Sequence, residues 1–157
     1  MDFDQLSSIL AERLASRQAT VATAESCTGG LVAHIITNRP GSSAYYLGGV
    51  VAYSNELKIS ILGVSPDLLA TKGAVSAETV EAMALGVRRL TGATYGLATS
   101  GIAGPGGGTA DKPVGLVYLG LAGPRGVVSS RQLFMGDRIG IKHQATEAVL
   151  RLLLAEL

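Results

Sequence analysis

A three-layer α/β/α sandwich with a mixed central sheet is the α/β fold class that this sequence predicts, on three observations. Short β-type runs alternate with helical ones in the order αβα, ββ, αα, β, ββ, α. Two runs, Thr20 to Ala24 and Val114 to Leu121, read as buried strands, and the second is continuously apolar, as in strands covered on both faces. The 157 residues are 47% hydrophobic and 16% charged, enough for a real core, and no repeat or linker divides them. Residues 1–157 are therefore expected to form one domain.

Each element has its own signal. Residues 4–17 carry Leu6, Ile9, Leu10 and Leu14 at helical spacing. Thr20 to Ala24 reads as a strand, and Leu31 to Thr37 as a buried helix opened by Thr28-Gly29-Gly30. Asn38 to Ser43 is a loop by composition. Gly48 to Tyr53 and Leu57 to Leu62 read as two strands joined around Ser54-Asn55-Glu56, a hairpin. Ser65-Pro66-Asp67 starts a helix, with Ser as N-cap and Pro at the first helical position; Gly73 ends it. Ser76 caps the next helix, whose buried face is Val80, Met83, Ala84 and Val87. Tyr95 to Thr99 is a strand running into Ser100 to Thr109, too glycine-rich for regular structure. Val114 to Leu121 turns through Gly123-Pro124-Arg125-Gly126 into Val127 to Phe134. Asp137 caps the last helix, with Ile141, Ala145, Ala148 and Leu152 on its apolar side.

Composition narrows the function classes. The net charge is +1 and no Lys/Arg run occurs, so the many phosphate contacts of direct nucleic-acid binding have no source. A single cysteine excludes an intrachain disulfide and suits a reducing compartment. Met1-Asp2-Phe3-Asp4 is acidic where a signal peptide is basic, and no apolar run nears the ~20 residues of a membrane helix. A cytoplasmic location without membrane contact is the expectation. The 21 glycines cluster in loops, which points to sites lined by backbone.

The densest chemistry lies in Thr23-Ala24-Glu25-Ser26-Cys27-Thr28-Gly29-Gly30, between a strand and a helix. A turn there leaves backbone N–H groups unpaired, able to stabilise developing negative charge. Ser26 is a candidate nucleophile and needs a base. His34 falls within a buried helix and His143 lies four residues before Glu147 on the last helix, so both suit packing or surface roles better than a triad. A lysine of lowered pKa is the alternative base, and Lys58 is notable among only four lysines for its place in the hairpin that begins Tyr53-Ser54-Asn55-Glu56. Spacing alone also accommodates Lys58 as an outward strand lysine and Tyr53 as a strand aromatic. Ser26 and Thr28 equally suit N-caps, and Cys27 is either a small buried residue or a rival nucleophile.

Two further features complete the set. Ser100 to Thr109 offers successive N–H groups for an anion, yet it spells neither a P-loop nor G-x-G-x-x-G. Arg138 stands in the first turn of the last helix, where a cation meets the positive end of the dipole unless an anion binds or Asp137 or Glu147 pairs with it. No metal-ligand spacing is present.

At these residues the sequence resembles the CinA C-terminal domain family, also known as nicotinamide-nucleotide amidases. The likeness spans nearly the whole chain. It rests on Thr23 to Gly30, Tyr53-Ser54-Asn55-Glu56 with Lys58, Gly73-Ala74-Val75-Ser76, Ser100-Gly101-Ile102-Ala103-Gly104-Pro105, Lys112-Pro113-Val114-Gly115 and Gly136-Asp137-Arg138, in that order. The resemblance implies hydrolysis of nicotinamide mononucleotide to nicotinic acid mononucleotide and ammonia, without cofactor, metal or ATP. It implies Ser26 as nucleophile, Lys58 as base and Tyr53 as an aid to positioning or proton transfer. Ser100 and Arg138 match positions that bind substrate or steady the reacting group.

Joined to the residue reading, this places the oxyanion at the N–H groups of Thr28, Gly29 and Gly30. The nucleotide phosphate then lies against Arg138 or the loop of Gly101 and Gly104. The family also implies a homo-oligomer, a dimer or larger. One departure is Lys142, where the family commonly has arginine. The rival reading is a non-catalytic nucleotide-binding or protein-interaction domain linked to competence or DNA-damage response.

Overall fold

The computed structural model describes all residues, 1–157. Its elements are α1 (Phe3–Ser16), β1 (Val21–Glu25), α2 (Leu31–Thr37), β2 (Tyr46–Val51), α3 (Asn55–Ser60), α4 (Pro66–Lys72), α5 (Ala77–Thr91), β3 (Tyr95–Gly101), β4 (Leu116–Gly123), β5 (Gly126–Leu133) and α6 (Arg138–Glu156). One five-stranded sheet has the order β2-β1-β3-β4-β5. β1 pairs in parallel with β2 and β3, whereas β3–β4 and β4–β5 are antiparallel. The expected mixed-sheet α/β sandwich is the fold found.

Alternation along the strands decides what lies on each face. Val21, Leu97, Val117, Leu119 and Leu121 point to one side and join a core with Leu6, Leu10, Leu14, Val32, Ile36, Ile141, Val149 and Leu153 from α1, α2 and α6. The opposite face presents Ala22, Ala24, Ala98 and Ala122, packed with Val80, Met83, Ala84 and Val87 of α5. Those small residues let α5 lie close to the sheet. A Cβ on Gly120 would stand 2.6 Å from the Val80 carbonyl oxygen, and one on Gly96 would strike the Ala84 carbonyl.

Caps fix the helix starts, three of them at Ser65, Ser76 and Asp137 as expected and one at Asp2. Asp2, Ser65, Ser76 and Asp137 each accept an N–H from the first turn. The second half of the expected hairpin is different: Asn55–Ser60 is helical, so Leu57 to Leu62 is not a strand. Ser54 is an N-cap that accepts the Leu57 N–H. Leu57 and Ile61 share the exposed side while Lys58 and Leu62 are buried, a four-residue spacing. Over six residues, the alternation of Leu57, Ile59 and Ile61 satisfies either period.

The order of the strands creates the site. The chain leaves β1 through α2 on one face and enters β3 after α5 on the other, so the connections diverge where the carboxyl ends of β1 and β3 lie together. Open α/β sheets bind ligands in this crevice. The close α5 contact predicts that Gly120→Ala destabilises the protein by about 1–3 kcal/mol, the usual cost of forcing a methyl into a filled space. Urea denaturation followed by circular dichroism measures it.

Candidate active site

Ser26 is the first residue beyond β1. Its N–H donates to the Thr99 carbonyl of β3, and the carbonyl of Glu25 accepts from the Ala52 N–H beyond β2. Backbone bonds to both neighbouring strands therefore hold the turn. The cleft beside it, about 190 Å³, is lined by Ser26, Cys27, Tyr53, Asn55, Lys58, Ala74, Val75, Ser100, Gly101, Ala103 and Arg138. Five segments distant in sequence meet there.

Lys58 is 1% exposed. Its Nζ lies 3.1 Å from Ser26 Oγ, 2.8 Å from the Ala52 carbonyl oxygen and 3.2 Å from that of Tyr53. No carboxylate pairs with it; the two ion pairs of the chain are Arg125–Glu156 and Arg151–Glu147. Burial lowers its pKa below the ordinary lysine value, opposed by the nearby Cys27 sulfur. Nζ donates to all three neighbours, two carbonyls that can only accept and one hydroxyl. In a neutral amine the lone pair takes the third of these positions, against the Ser26 hydroxyl.

Cys27 shares the turn but not this chemistry. Burial pushes its thiol up to about 12, with the Glu25 charge acting in the same direction and its own backbone N–H and Lys58 acting against it. A thiol of that pKa supplies almost no thiolate near neutral pH. The serine is the group with a base at hand.

The N–H groups expected to receive an oxyanion require correction. Thr28, Gly29 and Gly30 do not line the cleft. Gly29 N–H donates to the Ser26 carbonyl, and Gly30 N–H to Glu25 Oε1 at 3.2 Å. The same carboxylate accepts from Val32 N–H at 2.9 Å, Ala33 N–H at 3.0 Å and Thr28 Oγ1 at 2.6 Å. The start of α2 is thus filled from within the protein. Cys27 and Thr28 N–H, by contrast, donate to no backbone carbonyl. Of the two, only Cys27 lines the cleft beside Ser26. Gly29 and Gly30, at φ of 60° and 100°, serve the turn's left-handed backbone instead.

The other expected residues surround the cleft in distinct ways. Ser100 is buried and donates to the Ala74 carbonyl at 2.7 Å, so its hydroxyl hydrogen is already engaged. Gly101 lies where a Cβ would come within 2.6 Å of the Leu116 carbonyl oxygen. Arg138 starts α6 and spans the mouth, donating to the Gly104 carbonyl at 2.8 Å and to Tyr53 Oη at 3.1 Å. It makes no ion pair with Asp137 or Glu147. Lys142, one turn on, brings Nζ towards Gly29. Tyr53 is exposed at the rim. The histidines lie elsewhere: His143 packs its ring on Phe3, and His34 lies beside Asn38.

Sequence reasoning passed over Asn55, Ala74, Val75 and Ala103 as lining residues and left Glu25 without a task. Only Glu25 had a usable signal, an acid ahead of a helix whose start lacks a side-chain cap.

These features define a small α/β domain with a buried serine–lysine pair at the carboxyl ends of its parallel strands. The CinA C-terminal domain model matches residues 3–157, and the chain belongs to that family. A putative competence-damage inducible protein of Moorella thermoacetica is 56% identical over 97% of the chain and 37% of that protein. A CinA-like protein of a Cyanothece species is 60% identical over 80% of the chain and 30% of that protein. The chain thus spans about a third of these relatives. The crystal structure of a competence/damage inducible protein from Agrobacterium tumefaciens superposes with a TM-score of 0.96 at 39% identity, covering 99% of this chain and 95% of that one. A CinA superfamily protein from Escherichia coli gives 0.96 at 31% identity, with 99% and 91% covered.

Ser26→Ala is expected to leave the fold intact, with a stability loss below about 1.5 kcal/mol, because Lys58 Nζ keeps both carbonyl partners and one hydrogen bond is lost. Thermal unfolding compared with the parent protein checks this.

Proposed function

We propose that this domain is an amidohydrolase that converts nicotinamide mononucleotide to nicotinic acid mononucleotide and ammonia. The observation that carries the reading is the buried Lys58 amine against Ser26 without a counter-ion. In this reading Ser26 Oγ attacks the carboxamide carbon as Lys58 takes its proton. The oxygen that gains charge is received by the N–H of Cys27, the turn residue that lines the cleft beside Ser26. Lys58 returns the proton to the departing ammonia, and water then cleaves the acyl-serine ester with Lys58 again as base.

Binding has its own support. Arg138 is a guanidinium satisfied at the cleft mouth only by a carbonyl and a phenol, both weaker partners than a phosphate. Tyr53 and Gly104 then act as its resting partners, and Asn55 and the Ala74–Val75 backbone supply polar contacts for the rest of the ligand. The substrate is a small pyridine nucleotide, and no step calls for a metal or cofactor. We further propose a homo-oligomer, from the family resemblance, and a cytoplasmic location, from the single cysteine that suits a reducing compartment.

Ser26→Ala should lower the turnover of nicotinamide mononucleotide by on the order of 1,000-fold or more, and Lys58→Ala by about 100- to 10,000-fold. Ammonia release measures both. Undiminished release in either variant removes the dyad, and loss in Cys27→Ala with retention in Ser26→Ala transfers the chemistry to the thiol. Binding of the nucleotide without ammonia release by the parent protein would favour the non-catalytic reading.

The pH profile has a definite sign. Lys58 works as the neutral base, so kcat/KM should rise with pH through its free-enzyme pKa and then level off. Because burial lowers that pKa, the rising limb should lie below 10.5. A profile that falls with pH over that limb contradicts the role.

A further inference from the structure

Glu25 is the buried carboxyl group for which the proposed reaction has no use. Its side chain is 1% exposed, and it faces no lysine or arginine in an ion pair. Four donors converge on it instead: the hydroxyl of Thr28 and the N–H groups of Gly30, Val32 and Ala33. Thr28 spends its hydrogen on Glu25, so its oxygen accepts from the Thr99 hydroxyl at 2.7 Å. Glu25 and Thr99 are register partners on β1 and β3. The carboxylate therefore ties both strand ends to the first turn of α2, with Ser26 and Cys27 enclosed between the tied points.

The charge has a second effect. Free N–H groups at a helix start would favour a thiolate on the neighbouring Cys27. Here they are given to a carboxylate, whose charge also repels a thiolate. We propose that Glu25 is a positioning residue: its carboxylate fills the start of α2, fixes the turn with Ser26 against Lys58, and leaves Cys27 as an inert thiol. The assignment rests on the amidase reading for its effect on turnover, but not for its effect on Cys27.

The test is Glu25→Gln in the full chain. Glutamine keeps an acceptor for Thr28, Gly30 and Val32, turns an NH2 group towards the Ala33 N–H, and removes the charge. Two readouts are needed. The first is alkylation of Cys27 by iodoacetamide, followed by intact mass across pH under conditions where circular dichroism shows the native fold. The charged groups that face this turn are Glu25 itself, Lys58 from α3, and Arg138 and Lys142 from α6; only Glu25 is an anion. Its neutralisation should move the alkylation profile about one unit to lower pH, or tenfold in rate at fixed pH. Burial, the larger cause, keeps the thiol above its ordinary range. Simple loosening of the turn would raise the rate without moving the profile.

The second readout is turnover of nicotinamide mononucleotide, for which kcat should fall about tenfold or more with KM held within about twofold. A folded variant whose alkylation profile is unmoved, or whose kcat equals that of an active parent, overturns the assignment. A parent that releases no ammonia defeats the amidase reading, while the Cys27 profile still decides whether Glu25 suppresses the thiol. Should Glu25→Gln fail to fold, Thr28→Val removes the shortest of the four bonds and carries the same two readouts. Its kcat should fall about threefold or more with the charge retained and the Cys27 profile shifted by less than in Glu25→Gln; an unchanged kcat overturns the positioning role.

Discussion

Lys58 is carried into the protein by a short helix whose N-cap, Ser54, fixes where its side chain enters, and its Nζ meets two carbonyl oxygens and one hydroxyl but no carboxylate. Burying an ammonium without a counter-ion is costly, and this lowers the lysine pKa and favours the amine relative to a lysine in water. The neutral form is also the one that can accept a proton from Ser26. In the proposed reaction, the cost of burial and the capacity for base chemistry have a single origin. The backbone of Ala52 and Tyr53 contributes by holding the nitrogen without charging it.

That arrangement requires the surrounding strands to be in register. Ser26 is tied to β3 through Thr99, and the residue before it is tied to the end of β2 through Ala52. Ala52 therefore touches both halves of the pair: its N–H holds the strand that delivers the serine, and its carbonyl holds the lysine. Small residues on the α5 face let that helix lie against the sheet, with the Ala74–Val75 segment before it reaching the cleft. On the other face Glu25 fixes the first turn of α2. The serine turn is constrained from both layers.

Much of this was legible in the chain. The continuous apolar run Val114 to Leu121 marks a strand covered on both faces, and Tyr95 to Thr99 marks the strand that runs into the glycine-rich loop. Asp137 ahead of Arg138 marks the start of the last helix with a cation at its positive end. The concentration of reactive groups at Thr23 to Gly30 marks a functional turn, and the family resemblance carried Lys58 and Tyr53 into the same set. Less legible were the parts that depend on short windows. Leu57 to Leu62 satisfied the strand period as well as the helix period, and Thr28-Gly29-Gly30 satisfied an anion-binding turn as well as one already filled. Donors in a turn are visible in sequence, but their occupants are not.

The sequence by itself determined the class of fold, the places where helices begin, and which residue types could supply a nucleophile, a base and an anion contact. These follow from periodicity, capping and side-chain chemistry, all properties of neighbouring residues. Only the tertiary structure decided that Lys58 faces Ser26 without a counter-ion, that Arg138 bridges Tyr53 and Gly104, and that Glu25 occupies the helix start where the sequence suggested an oxyanion. Protonation state and hydrogen-bond occupancy depend on which groups from distant segments share a buried space. That sharing is set by the strand order β2-β1-β3-β4-β5 and its diverging connections, which no local pattern specifies.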